Sequence, residues 1–196
     1  MSRGLAYAAI AIAPLVCTHS WAACGSDDYV SSTGCLLELG DAPTGIGLIP
    51  GFSNGTIDPA AVSKAAGTGV AIRTWSGPDP REPGIVQNNI HISGSLIDVL
   101  GVHEGSPPYM LTELAVRDPK VALPCGLRIG QPLKTFASAL SIDVGPERRD
   151  PKRGIRLDWA KYEDHGSICV ASHANIFLRL TPTEDVREVR WEYFAD

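Results

Sequence analysis

Hydrophobic and polar residues alternate most regularly near the C-terminus of the chain. Val189, Trp191 and Tyr193 occupy every second position, and Arg190 and Glu192 lie between them. A period of two is typical of a strand that buries one face of a sheet and exposes the other to water. The pattern therefore predicts a strand that begins at about residue 186 and forms part of an antiparallel sheet.

Strand composition recurs along most of the chain from residue 69 onward. Runs of β-branched, aliphatic and aromatic residues cover 70–75, 90–92, 96–100 and 109–116, and later runs begin at Ile155, Ser167, Asn175 and Val186. Such runs, separated by turn residues, predict strands, and the short turns near the C-terminus favour antiparallel hairpins over long crossovers. Residues 76–84 contain three prolines and two glycines, so this segment is predicted to be a loop.

Two segments carry the signals of short helices. Asp58 and Pro59 suit the N-cap and the first helical position, and Gly67 suits the end of a helix. Residues 132–141 have apolar side chains spaced at three, four and seven positions, which places them on one helical face: Leu133, Phe136, Ala137 and Leu140.

These elements together predict an α+β fold. We expect a twisted antiparallel sheet that ends in a C-terminal meander, with one or two short helices packed on one face. Residues 23–196 are long enough for a single domain with a sizeable core. The part from 23 to 68 is rich in Gly, Ser, Thr, Asp and Pro and is predicted to be dominated by loops.

The N-terminus has the order of parts found in a secretory signal peptide. Arg3 supplies a positive charge, Gly4–Val16 is apolar, and Ser20 and Ala22 place small residues at the −3 and −1 positions of a cleavage site. The apolar run is shorter than the roughly 20 residues of a membrane-spanning helix. We therefore expect residues 1–22 to be removed and the protein to be exported, either to a periplasm or out of the cell.

The cysteines are consistent with an oxidising compartment. Of the five cysteines, Cys17 leaves with the signal peptide, and an even number in an exported chain suggests two disulfides. The remaining four allow three pairings. We favour Cys24–Cys35, which would fix the loop-rich beginning, and Cys125–Cys169, which would hold the helix-bearing segment on the C-terminal sheet.

Cys24 also supports a second interpretation. Residues 21–24, Trp-Ala-Ala-Cys, resemble a bacterial lipobox, in which the cysteine is lipidated and becomes the new N-terminus. The usual motif has Leu where this chain has Trp21. Lipidation would also leave one of the other three cysteines without a partner. A lipoprotein anchored at Cys24 therefore stays as an alternative to a soluble exported protein.

Charge and ligand spacing argue against several functional classes. The formal net charge is −5, and phosphate backbones are bound by clustered Lys and Arg, so nucleic acid is not an expected partner. The basic residues between Arg148 and Arg153 are interrupted by Asp150 and Pro151 and are interpreted as a solvated loop. No second segment has the length of a transmembrane helix. No residue pattern matches a metal or cofactor site, and none is predicted.

One short motif could support catalysis. Gly51–Gly55 has the Gly-x-Ser-x-Gly pattern of a nucleophile elbow, in which a sharp turn between strand and helix exposes the serine. Ser53 would then need a base, and His165 and His173, which flank a predicted hairpin, are the candidates. The competing interpretation is an ordinary turn and surface histidines, because so short a pattern often arises by chance.

The C-terminal strands contain the residue types that dominate protein interfaces. Trp, Tyr and Arg are enriched at interface hot spots, and Trp159, Trp191, Arg190 and Tyr193 are our candidates for a binding face. For each tryptophan taken singly, a place in the core is the more common outcome. An exposed sheet edge that pairs with another chain would also suit this segment.

The leading functional hypothesis is an exported, non-enzymatic module that binds another protein or an envelope component. An inhibitor or an immunity-type partner of a secreted toxin or hydrolase is one concrete form of it. The alternatives are a serine hydrolase that uses Ser53 and a structural envelope lipoprotein anchored at Cys24.

Overall fold

A computed structural model describes residues 34–43, 49–53, 56–79, 82, 84–104, 108–164 and 169–194. The predicted signal peptide, Cys24 and His165 lie outside these residues. The described part is α+β, with three short α-helices and a mostly antiparallel sheet. None of its helices has the length and apolar character needed to cross a membrane.

The helices are α1 (Cys35–Asp41), α2 (Pro59–Ala65) and α3 (Leu133–Leu140). The predicted N-cap of α2 is confirmed, because the Asp58 side chain accepts from the backbone N–H groups of Ala60 at 3.0 Å and Ala61 at 3.3 Å. The predicted apolar face of α3 is buried at Leu133, Phe136 and Leu140. Single 3-10 turns lie at Pro124–Gly126 and Pro146–Arg148.

The chain contains ten described strands. They are β1 (Phe52–Ser53), β2 (Thr56–Ile57), β3 (Ala71–Pro78), β4 (Val86–Ser93), β5 (Ile97–Glu104), β6 (Tyr109–Val116), β7 (Arg149–Asp150), β8 (Gly154–Asp164), β9 (Cys169–Leu180) and β10 (Val186–Phe194). Helix α2 lies between β2 and β3, and α3 lies between β6 and β7. The order of the strands across the sheet is β3-β4-β5-β6-β10-β9-β8-β7. In addition, β2 pairs with the first two residues of β6, and β1 pairs with β2. The last strand thus lies at the centre.

One row of directly opposed residues crosses almost the whole sheet and forms the base of the core. Each member pairs with the next on the neighbouring strand: Ile72, Ile92, Val99, Leu114, Trp191, Ile176 and Leu157. From Ile92 to Leu157 all are 0% exposed, whereas Ile72 is 54% exposed. Side chains of opposed residues point to the same face, so β3 continues the core row beyond the covered part of the sheet.

Residues of all three helices belong to the same buried cluster as this row. Leu39 of α1 and Phe136 of α3 are fully buried, and α1 contacts β8 and α3. α2 lies against β4, where Val62 is also fully buried. The Cβ of an alanine at Gly94 would meet the backbone and Cβ of Ala66, so the turn after β4 touches the end of α2. No helix among the described residues contacts β3 to a comparable extent.

Three predictions about the elements are wrong. Ser76–Pro78 was predicted as loop but continues β3, because pairing with Gln87 and its neighbours on β4 outweighs the local turn preference. Two strands were predicted, from Ser167 and from Asn175, but the described residues 169–180 form one strand, β9. Residues 35–41, in the part predicted to be dominated by loops, form α1, a third helix where one or two were predicted; its N-cap Gly34 makes no side-chain hydrogen bond and therefore leaves no capping signal.

Candidate functional site

The segment around Ser53 forms a hairpin rather than a turn from strand to helix. Phe52 pairs with Ile57 and Ser53 with Thr56, so β1 and β2 run antiparallel to each other. In a nucleophile elbow the helix follows the serine directly, but α2 begins only at Pro59. This backbone is the one expected for an ordinary turn. Fluorophosphonate labelling of Ser53 remains the test of the hydrolase prediction.

The sheet order does not place His173 beside this hairpin. β2 joins the sheet at Tyr109 and Met110 of β6. His173 lies on β9, two strands beyond β6, opposite Ala160 and Phe194. His165 lies outside the described residues. The described residues therefore bring no acid–base pair together with Ser53.

Two of the predicted binding residues hold a helix of the same chain. Trp191 is fully buried, and its indole Nε1 donates to the Leu39 carbonyl at 3.0 Å. The Tyr193 hydroxyl donates to the Gly40 carbonyl at 3.4 Å. Burial raises the pKa of Tyr193, and the charge of Asp41 raises it further. As folded, Trp191 is a core residue, and both polar groups serve to seat α1 on β10.

Arg190 belongs to an ion-pair network on the other face of the sheet. Its Nε donates to Glu188 at 3.1 Å, and its Nη1 pairs with Glu113. Burial acts to lower the pKa of Arg190, but the two carboxylates outweigh it and leave that pKa raised. Trp159, the fourth candidate, lies on β8 opposite Ala174. The face around Arg190 is thus occupied by internal pairs.

The favoured pairing of the cysteines is wrong for the two that the structure joins. Cys35 forms a disulfide with Cys125, with their Cα atoms 5.8 Å apart. The bond links α1 to the 3-10 turn before α3, whereas the sequence favoured Cys24–Cys35 and Cys125–Cys169. Cys169 lies opposite Asp164 on β8. If all four cysteines are paired, Cys24 and Cys169 form the second disulfide.

The same disulfide accounts for one apparent metal cluster. Cys35, Glu38 and Cys125 bring three atoms of metal-ligating types within 4.8 Å of one another. A cysteine binds a metal ion as the thiolate, and the sulfur atoms of Cys35 and Cys125 are bonded to each other in the disulfide. This group is therefore structural in the described fold.

The outer side of β3, which we call the open edge, carries two of the four exposed large hydrophobic residues of the described part of the molecule. Its eight residues pair in unbroken register with β4, and among the described residues no strand lies on its other side. Ile72 is 54% and Trp75 47% exposed, on opposite faces. Trp75 belongs to a second row, Trp75–Asn89–Val102–Met110, whose far end, Met110, is 60% exposed.

A polar groove lies next to the open edge. It has a volume of about 450 Å³, and its lining includes Ser76, Asn88, His103 and Tyr109. The Ser76 hydroxyl donates to the Asn88 amide oxygen at 2.6 Å, and His103 meets Tyr109 edge to face at 4.5 Å. His103 is 9% exposed, and its Nδ1 has no hydrogen-bond partner among the described residues.

The open edge and the polar groove beside it suit the binding of an extended chain. An edge strand offers a row of free backbone N–H and C=O groups. A groove beside it can take an alternate side chain of an added strand, which is how strand-addition sites obtain specificity.

Comparison of the chain with family models, with curated proteins and with solved structures gives no significant match.

Proposed function

We propose that the protein is an exported, non-enzymatic binding module that docks an extended segment of another protein along the open edge of β3. The observation that carries the proposal is the register row of the core, which continues onto β3 and ends at the exposed Ile72. A strand added beside β3 would extend this row and cover Ile72. An inhibitor or immunity-type complex with a secreted protein is one concrete form.

The open edge has few of the features that usually prevent pairing. Natural edges are short, bulged, or guarded by charges and prolines. β3 has eight residues and no bulge in its register with β4; its charge is Arg73, and its proline, Pro78, is the last residue. Exposed Ile72 and Trp75 add apolar area. This combination favours an edge that is used for docking.

The charges suggest the chemistry of the partner strand. Arg73 is exposed, and no acidic side chain among the described residues pairs with it. The matching segment should place an acidic residue opposite Arg73 and an apolar residue opposite Ile72, because directly opposed residues share a face. A segment of this kind alternates between acidic and apolar positions.

Site-specific photocrosslinking tests the proposal in the envelope of the producing cell. A benzophenone amino acid replaces Trp75, in combination with either Ile72→Lys or Val86→Lys. Ile72 and Val86 are similarly exposed, at 54% and 59%, and lie on the same face, but Val86 is on β4. We expect one partner protein, crosslinked through an extended segment. The adduct should fall roughly tenfold with Ile72→Lys and persist with Val86→Lys.

Three results would contradict the docking proposal. They are the absence of any adduct, an adduct formed with a second copy of this chain, and an equal loss of the adduct in both lysine variants. A lysine on an edge strand blocks pairing by placing a charge beside the added chain, so an equal loss would mean that binding does not depend on the edge.

Export is tested separately by the intact mass and the disulfide map of the natural protein. The leader pattern and the Cys35–Cys125 disulfide support export. We expect an N-terminus at Ala23, no free thiol, and peptides that join Cys24 to Cys169. A mass that includes acyl chains on Cys24 would instead identify a lipoprotein, and a retained leader with free thiols would contradict export.

A further inference from the structure

The edge of the sheet opposite β3 carries a basic cavity in a protein whose formal net charge is −5. We call it the basic cavity; it has a volume of about 350 Å³ and is lined by the turn 149–155 with Arg179, Leu180 and Arg187. A smaller cavity of about 230 Å³ adjoins it, because Arg179 and Arg187 also line that one, together with Arg117 and Glu188. Positive charge is therefore concentrated here.

A buried carboxylate fixes the arginines at the base of the two cavities. Glu188 is 3% exposed and accepts a hydrogen bond from Arg117 Nε at 2.6 Å. Arg179 Nε lies 3.3 Å from the same carboxylate as an ion pair but makes no hydrogen bond within the described part of the chain. Arg190 also reaches Glu188, but Glu113 balances its charge. Arg117 and Arg179 therefore share one carboxylate, and a net positive charge remains beside the cavity.

A bulge in β10 directs a further arginine to the same place. Val186 pairs with Leu180 and Glu188 with Arg179, so Arg187 is the extra residue between two regular pairs. Bulges re-aim a side chain and often lie beside functional sites. Arg187 is exposed, and among the described residues it has no acidic partner.

The acidic residue of the turn that lines the basic cavity, Asp150, forms hydrogen bonds within that turn. The Asp150 carboxylate accepts from the backbone N–H groups of Lys152 at 2.7 Å and Arg153 at 2.9 Å, and these bonds lower the pKa of Asp150. Arg153 pairs with Glu192 at 3.1 Å. The Lys152 side chain has no ion-pair partner within the described part of the chain.

From this geometry we infer that the basic cavity binds a small phosphate-class oxyanion, held by Arg187 and Arg179 with Lys152 at the rim. A guanidinium matches two oxygens of a phosphate at once, and an ammonium adds a point charge. The ion pair with Glu188 restricts the Arg179 side chain, so binding removes less side-chain entropy, and the Nε that makes no hydrogen bond leaves a donor for an oxyanion. The acidic character of the whole chain favours a single phosphoryl group over a long polyanion.

Binding to the mature protein is measured by calorimetry with inorganic phosphate, at an ionic strength held constant with chloride. We expect saturable binding that Arg187→Gln weakens roughly tenfold, because charge-assisted hydrogen bonds are lost. Arg187 has no internal partner, so the melting temperature of the ligand-free variant should stay within about 2 °C of the original. Arg73→Gln is the matched control, since Arg73 is also exposed and unpaired within the described residues.

Two further probes distinguish the sources of the phosphoryl group. Glucose 1-phosphate represents a phosphorylated glycan, and phosphatidylglycerol vesicles, compared with phosphatidylcholine vesicles, represent a lipid headgroup. Tighter binding of either than of inorganic phosphate, lost with Arg187→Gln, identifies that class as the ligand. No binding of any probe, or an equal loss with Arg73→Gln, would overturn the inference. Neither result depends on whether β3 docks a partner.

Discussion

The strands β8–β10 and the edge strand β3 contribute apolar residues to the same row, but this row is buried in the former and exposed in the latter. On the covered side, the core-row residues of β8, β9 and β10 belong to one buried cluster with residues of α1 and α3. At the open edge, Ile72 extends the same row without a cover among the described residues. Alternation along a strand therefore determines which face a side chain takes, whereas the helices of the rest of the chain determine whether that face is buried.

Truncation of one tryptophan on each side gives the largest contrast. Trp191→Ala should cost about 3–5 kcal/mol, because it leaves a cavity in the core and removes the hydrogen bond to Leu39. Trp75→Ala should change stability by no more than about 0.5 kcal/mol, since Trp75 is half-exposed. Urea unfolding of both variants measures the difference. Similar losses would mean that the open edge is covered.

Removal of the described disulfide should have the next largest effect. The Cys35→Ala/Cys125→Ala variant should lose about 2–4 kcal/mol, because the bond closes a long loop and holds α1 beside α3. Chemical denaturation under oxidising conditions measures the loss. Near-UV circular dichroism should show a changed environment for Trp191 if α1 moves. An unchanged unfolding midpoint would contradict the role assigned to this bond.

Two glycines provide a smaller and matched comparison. Gly94→Ala should destabilise the protein by about 1–3 kcal/mol, because the new Cβ would meet the Cβ of Ala66 at 2.6 Å as well as its carbonyl. Gly77→Ala meets no atom within 4 Å and should be neutral or slightly stabilising, through lower entropy of the unfolded chain. Thermal unfolding separates the two. A destabilising Gly77→Ala would argue that something packs on β3.

The carboxylates at the centre of the sheet give the smallest effect. Burial raises the pKa of Glu113 above its ordinary value of 4.5, Arg190 opposes this, and Glu192, directly opposite on β10, raises it further. The folded state then holds this proton more tightly than the unfolded chain, so stability falls as pH rises through the range above 4.5. Glu192→Gln should lower the pKa of Glu113 in a carboxyl NMR titration; an unchanged or higher value would contradict this.

Local signals predicted the parts of the fold that local energetics determine. The cap at Asp58, the apolar face of α3 and the extent of β6 were all readable from neighbouring residues. The seven residues of α1 were not, because their helix depends on burial of Leu36 and Leu39 and on a disulfide to a residue 90 positions away.

The candidate surfaces depend on strand order, which the sequence pattern does not contain. Residues 70–75 were predicted as a strand, but nothing local distinguishes an edge strand from a central one. Conversely, the residue types of Trp191 and Tyr193 predicted a binding face for another protein, whereas both side chains donate hydrogen bonds to α1 of the same chain. The basic cavity has no local sequence signal, because Arg179 and Arg187 are distant in sequence from the turn at 149–155.

Amide hydrogen exchange on the free mature protein is the most direct test of the open edge. In an edge strand every second backbone N–H points away from its neighbour. We predict that alternate amides of β3 exchange almost as fast as in an unstructured peptide, while those of β6 and β10 exchange only on global unfolding. Uniform protection along β3 in dilute solution would contradict the account, because it would show that the edge is already paired.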